Sequence, residues 1–345
     1  MSGIMRYIRA LFRLLGALFE RIDAYFAVAI SFARNPRQVV RSWPPGEIAL
    51  GPRVAVFVHF DRRGRVRPHV LNYVAALQQC GFSVAFVTNS GHLRDDAMAA
   101  LQPLCAAILI RRNIGYDFGA MRDGLDFLQL PRDNTDTVLI ANDSVYGPVR
   151  PLDPLLAQID FDQADVWGAT ESWQTRYHLQ SYFLIAGRRA LTSEVWRNFW
   201  RKVRPVQSKA WVISRYEIGL TQMLVRGGMR CAAIWPYTDL INRVDPSLMT
   251  AADETDVDPS TTARRSHAGR IRHGAVARRP LNPTSDLWRQ LLQAGYPFLK
   301  RELLRENPTG VLDIAEWRDE LKKCAGADAD MIDADLKDVL RNRAP

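Results

Sequence analysis

Between Arg111 and Leu125 the sequence reads RRNIGYDFGAMRDGL, which sets glycines, arginines and carboxylates directly after an apolar run. Gly115 and Gly119 permit a sharp backbone turn and close approach to a ligand. Asn113, Asp117 and Arg122 offer hydrogen bonds, and Arg111, Arg112 and Arg122 carry charge that suits phosphate. The stretch lacks the GxxxxGK[ST] pattern of a P-loop, and it has too few glycines for a dinucleotide fingerprint. Composition alone leaves two readings open: a ligand loop, or a loop that only caps a helix starting near Phe118.

A second polar cluster follows in LIANDSVYGP, where apolar residues end in Asn142, Asp143 and Ser144 before Gly147 and Pro148 stop the run. Oxygen ligands at a strand end suit a hard divalent cation and a diphosphate. Only one carboxylate is present, and an Asx-turn closing a strand explains the same residues. Farther on, WQTRYHLQSYF supplies Trp173, Tyr177, His178 and Gln180, apolar faces beside hydrogen-bonding groups that suit a sugar acceptor.

These residues need elements to hold them. VAVFVHF, FSVAFVTN, AAILI and TVLIAND read as buried strands, and the intervening HVLNYVAALQQCG and the segment around Leu93 to Leu101 read as helices. That alternation predicts a mostly parallel α/β sheet with helices on both faces, and it puts the first cluster at the C-terminal end of the third strand, where open sheets bind ligands. ADVWGATES reads as a further strand, YHLQSYFLIAG as an edge strand or hairpin, and EVWRNFWRKV and SRYEIGLTQMLVRGG as helices. The chain divides into an amphipathic N-terminal helix (1–40), a ligand-binding α/β domain (50–245), a polar mobile loop (246–280) and a C-terminal helical segment (281–345).

In the N-terminal segment Ile4, Ile8, Leu11, Leu15, Leu18, Ile22, Tyr25 and Ala29 recur at helical spacing, with Arg6, Arg9 and Arg13 among them. The arginines break any run long enough to span a bilayer and argue against a signal peptide. A helix lying on an anionic membrane surface and a helix packed on its own domain both satisfy the pattern.

Together, VAVFVHFD, RRNIGYDFGAMRDGL, VLIANDSVYGP, DVWGATES, YHLQSYFLIAG, YEIGLTQ and NPTSDLWRQLLQAGYPFLKRELLRENP resemble the rhamnan synthesis F family of bacterial surface-polysaccharide assembly. More distantly, they resemble the GT-A glycosyltransferases. The resemblance spans roughly Arg53 to Pro308. It implies a GT-A-like (Rossmann-like) fold and transfer of a sugar, rhamnose or a related deoxyhexose, from a nucleotide-diphosphate sugar to a lipid-linked glycan. It further implies that His59 and Asp61 face the nucleotide and that Asn113, Gly115, Asp117 and Arg122 line the donor pocket. Asn142, Asp143 and Ser144 stand where the wider superfamily has a metal-binding DxD. With Asp143 the one carboxylate there, a Mg2+ or Mn2+ ion is left open, and arginines or Lys300 are alternative partners for the diphosphate. Glu217 matches the late acidic motif that supplies the general base, with Glu171 second; a helix-dipole role for Glu217 competes with that assignment.

The 345 residues carry a formal charge of +9, and 47% are hydrophobic, enough for a full core. That charge suits nucleic acid, an anionic membrane or a phosphorylated substrate. The arginines between Arg264 and Arg279 have no interleaved aromatics, and no nucleic-acid motif accompanies them. Four dispersed cysteines fit reduced thiols in the cytoplasm, and the resemblance adds the inner face of the membrane as location. A non-catalytic scaffold that keeps the fold is the competing reading.

Overall fold

The computed structural model describes residues 22–33, 37–249, 258–324 and 328–341. Its strands are β1 (Val39–Trp43), β2 (Arg53–His59), β3 (Ser83–Thr88), β4 (Ala107–Arg111), β5 (Thr137–Asn142), β6 (Val145–Tyr146), β7 (Val166–Ser172), β8 (His178–Leu179), β9 (Phe183–Gly187), β10 (Cys231–Trp235) and β11 (Leu299–Lys300). The main sheet runs β1-β4-β3-β2-β5-β9-β7-β10, with β8 paired to β7. β2 pairs in parallel with both β3 and β5, and β10 with β7, whereas β9 lies antiparallel between β5 and β7. This is the expected α/β architecture, a mostly parallel sheet with flanking helices.

Strand side chains alternate faces, and the alternation sorts the core into two layers. Ala55, Phe57, Val84, Phe86 and Leu139 meet the helix Pro68–Gln79 through Val70, Tyr73, Val74 and Leu77 on one face. Val56, Val58, Val87, Leu109 and Ile140 meet Phe118, Met121 and Leu125 of the helix Tyr116–Phe127 on the other, together with Trp196, Phe199 and Trp200. A third cluster of Tyr146, Trp288, Leu299, Leu303, Trp317 and Leu336 docks the C-terminal helices onto the small β6–β11 pair.

Four expectations change. YHLQSYFLIAG is no edge: all of β9 is buried, and an apolar strand covered on both faces belongs in the middle of a sheet. Within the expected loop 246–280, Pro259–Val276 is helical; the Asp258 carboxylate caps it by accepting from the amides of Ser260 and Thr261. At and just past the expected end of the N-terminal helix, Val39–Trp43 form β1, which covers the β4 edge in antiparallel pairing. CAAIW, unassigned from the sequence, forms β10. For the N-terminal helix, residues 22–33 are helical, while Ile4 to Leu18 and the arginines among them lie outside the described residues.

At the end of β4 the chain must turn into a helix, and a buried ion pair fixes how. Arg111 is fully buried and its Nε donates to the Asp123 carboxylate at 3.0 Å, while its Nη2 donates to the Ile114 carbonyl at 2.8 Å. Its Nη1 donates to the Asn89 side-chain carbonyl, and the Gln38 amide donates to the same Asp123 oxygen. One side chain thus ties β3, β4, the following turn and the helix that carries Asp117. Removing either partner leaves a buried charge uncompensated. Arg111→Met or Asp123→Leu alone is expected to lower the unfolding free energy in urea by about 3–5 kcal/mol, and the double variant to recover part of that loss.

Candidate functional site at the C-terminal edge of the sheet

The turn after β4 is built for one shape. Gly115 has φ of +89°, and a Cβ there would come within 2.7 Å of Pro205 Cα. Its amide donates to Gln207 Oε1 at 2.7 Å. Tyr116 follows at φ of +52°, an uncommon conformation for a bulky residue, and the helix starts at once. Gly119 faces the Arg111 guanidinium, with its missing Cβ 3.2 Å from Nη2. Its smallness therefore serves the ion pair, and a close approach to ligand is not what it provides.

The turn delivers Asp117 to the end of β5. Asn142 Nδ2 donates to the Asp117 carboxylate at 2.9 Å, and Asn142 Oδ1 accepts from the Ser144 amide at 3.1 Å. Asp117 is raised to about 6, first by burial and then by the neighbouring negative charge of Asp143 and Glu217, with Lys300 opposing. The Lys300 ammonium is itself pushed down by burial, while Glu217, Glu302 and Asp117 pull it up. It lies 3.5 Å from Ser144 Oγ and over the Tyr182 ring. Next along the chain, Arg301 Nη1 donates to the Asp143 carboxylate at 3.1 Å and to its carbonyl at 2.6 Å. Three carboxylates and two cations from four separate segments therefore meet at the sheet edge.

Glu217 enters from a π-helical turn, Val212–Glu217, that runs into the helix Ile218–Arg226. Such turns widen the helix and often mark functional positions. Its carboxylate accepts from both the amide and the hydroxyl of Ser181, at 3.1 and 2.8 Å. Preceding residues continue the helix, so the carboxylate is not at a free N-terminus and the helix-dipole account lapses.

His59 is buried, hydrogen-bonded through Nδ1 to Thr88 Oγ1 at 3.1 Å, and held below its ordinary range by burial, with Asp143 and Asp61 opposing. Asp61 closes its own turn by accepting from the amides of Arg63 and Arg65. Burial would raise this carboxyl, but those amides and the nearby Arg65 and Arg67 hold it below its ordinary value. Arg67 pairs in turn with Asp335 and Asp338 of the helix Ala329–Arg341, at 3.1 and 2.6 Å.

Other expected site residues lie elsewhere. Asn113 is exposed on the outer side of the turn, where its carbonyl accepts from Gln207. Arg122 bonds Asp123 and lines a different cavity of about 420 Å³ with Arg37, Trp196 and Arg201. His178 and Gln180 are buried with inward partners. His178 Nδ1 meets the Arg176 carbonyl, and Gln180 binds Thr170, Asn282 and Thr284. Trp173 is exposed, its ring 5.0 Å from that of Tyr177, and its Nε1 donates to Glu171. Glu171 also accepts from the Tyr237 amide, so it secures the loop that carries these aromatics.

Arg301, Arg67 and Ser181 join the site without having been assigned to it from the sequence. Arg301 had a signal in its adjacency to Lys300 in PFLKRELL; the others had none. For a divalent metal, Asp143 is the one carboxylate of the Asn142-Asp143-Ser144 cluster and Arg301 engages it. Among the described residues no three His, Cys, Asp or Glu side chains stand together to hold a metal ion. The residues present do not fit a metal centre built by protein ligands alone.

Fold and strand-end site together define an α/β protein whose charged groups gather at the C-terminal edge of a mostly parallel sheet. Residues 84–253 match the family model described as rhamnan synthesis protein F, so the resemblance read from the sequence holds over that segment. The virulence protein VirA of Vibrio anguillarum is 29% identical over 221 residues, 63% of this chain and 68% of the relative. The uncharacterized protein y4gN of Sinorhizobium fredii is 28% identical over 200 residues, 57% and 52% respectively. A solved structure, 4-diphosphocytidyl-2C-methyl-D-erythritol synthase of Anaerococcus prevotii, aligns with a TM-score of 0.34 and 9% identity. That alignment covers 54% of this chain and 89% of the synthase, a likeness too slight to bear on function.

Asp117 gives a pH signature. Below about pH 4 it is protonated in folded and unfolded chains alike. Between there and about pH 6 the unfolded chain ionises it first, so stability falls as pH rises; above that the penalty is constant, on the order of 3 kcal/mol. Asp117→Asn is expected to match the parent in acid and to exceed its urea stability above about pH 6. A difference that does not change with pH would show that the carboxylate is not strained by burial.

Proposed function

We propose that the protein is a glycosyltransferase that moves a sugar from a nucleotide-diphosphate donor to a lipid-linked glycan. The observation that carries this reading is the meeting of Asp117, Asp143 and Glu217 with Lys300 and Arg301 at the C-terminal edge of the sheet. The name of the matched family supports rhamnose or a related deoxyhexose as the sugar, within surface-polysaccharide or O-antigen synthesis.

In this reading Lys300 and Arg301 face the donor diphosphate and stabilise the charge that grows as the bond from the anomeric carbon to phosphate oxygen breaks. Arg67, Asn142 and Ser144 border the same space, and His59 packs beneath it as a neutral ring. Glu217, held by Ser181, takes the proton of the acceptor hydroxyl as its oxygen forms the new bond to the anomeric carbon, which inverts that centre. Trp173 and Tyr177, on the loop held by Glu171, offer aromatic faces to the acceptor sugar. Charge compensation by side chains replaces a protein-built metal centre. Thermal shifts with nucleotide-diphosphate sugars, run with and without magnesium or manganese, test that point and identify the donor.

Glu217→Gln is expected to lower transfer about 10²- to 10⁴-fold with donor binding retained, since it removes a base and leaves the pocket. Lys300→Ala is expected to abolish the donor-induced thermal shift. The engagement of Asp143 by Arg301 favours one competing reading, a scaffold that keeps the fold without turnover. Donor binding unaffected by Lys300→Ala, with no transfer by the parent, would establish the scaffold.

A further inference from the structure

The helical run that carries Glu217 shows another face to a groove of about 740 Å³, walled on its far side by the helix spanning residues 22–33. Tyr25, Trp211, Ile218 and Met223 give it an apolar floor, and Arg176, Arg215 and Arg226 stand around it. Among the described residues no aspartate or glutamate lines it. Among the described residues none of the three arginines forms an ion pair; Arg215 only covers the Trp211 ring, at 5.2 Å. The helix beside the groove packs on the domain through Ala24 and Ser31, and turns Ile22, Tyr25, Phe26, Ile30 and Phe32 outward. Tyr25 meets Trp211 edge-on across the groove, and Arg204 covers Phe32 at 4.3 Å. An apolar trough rimmed by unopposed guanidinium groups, continuous with an outward apolar helix face, calls for a ligand that is anionic at one end and hydrocarbon at the other.

We propose that this groove binds a phosphate-bearing lipid, the phosphate on Arg176, Arg215 and Arg226 and the first methylenes against Trp211, Ile218 and Met223. The proposal deepens the glycosyltransferase reading, because it seats the lipid end of the acceptor on the helical run whose opposite side supplies the base. It is tested by binding alone, so its failure is separable from that of the donor site.

The full-length protein is mixed with phosphatidylcholine vesicles, with and without phosphatidylglycerol, and the bound fraction is measured by flotation. Binding is expected only where the anionic lipid is present, and quenching of tryptophan fluorescence by brominated anionic lipid is expected to drop in Trp211→Phe. Arg176→Gln, Arg215→Gln and Arg226→Gln combined should weaken partitioning on the order of a hundredfold, about fivefold for each arginine. Arg272→Gln, an exposed arginine on the helix Pro259–Val276, should leave it unchanged, and all variants should keep the parent's donor-induced thermal shift. Partitioning retained by the triple variant, an equal loss with Arg272→Gln, or saturation of the groove by inorganic phosphate without vesicle binding would each overturn the proposal.

Discussion

A guanidinium buried beside a carboxylate is costly unless its nitrogens find hydrogen-bond partners, and in this protein each Arg111 nitrogen has one. Three of the Arg111 nitrogens have partners on three different segments, and Asp123 also receives the amide of Gln38. The turn from Arg112 to Gly115 has no freedom left once these bonds form. Asp117 then stands two residues past a fixed glycine, and its meeting with Asn142 follows. The arginines that suggested phosphate binding in the sequence divide accordingly: Arg111 builds the turn, the Arg112 amide donates to the Gln38 carbonyl just before β1, and Arg122 faces another cavity.

The site is therefore acidic on the sheet side and cationic on the side contributed by the C-terminal segment. Asp143 and Glu217 both oppose ionisation of Asp117, Lys300 offsets them, and Arg301 pairs with Asp143. Arg67 and the carboxylates of Asp335 and Asp338 extend the alternation of charge outward. His69, buried with neither ring nitrogen hydrogen-bonded and held at about 3 by burial and by Arg301, is a neutral spacer within it.

Period and punctuation made much of the fold legible. The apolar runs of β2 to β5 and β7, the helices between them and the place of RRNIGYDFGAMRDGL after the third strand of that series were all readable, because buried parallel strands advertise themselves. Antiparallel β9 was read as an edge strand or hairpin, and its central place was not legible because a short apolar run carries no mark of its neighbours. The helix Pro259–Val276 was taken for a loop because its arginines mask a weak apolar face, of which His267, Ala268 and Ile271 are the buried part. In the site, strand-end residues such as Asn142 and Asp143 were accessible to sequence reasoning. Gln180 and His178 were not correctly placed, since hydrogen-bonding side chains look alike whether they serve a ligand or each other. Ser181 and Arg67 matter through partners 36 and more than 200 residues away, a relation that no local pattern records.

The charge balance of the site has a history during synthesis. A chain that has emerged as far as residue 280 holds every carboxylate of the cluster and neither Lys300 nor Arg301. The sheet can form by then, since its last strand ends at Trp235, but its ligand edge carries acids facing acids. Only when β11 pairs with β6 do the two cations arrive, and the Leu299 and Leu303 side chains beside them join the apolar cluster that keeps them there. The C-terminal helices are thus the ribosome's last instalment of the site, and a partly made chain has the scaffold without the counter-charge that lets it receive an anion.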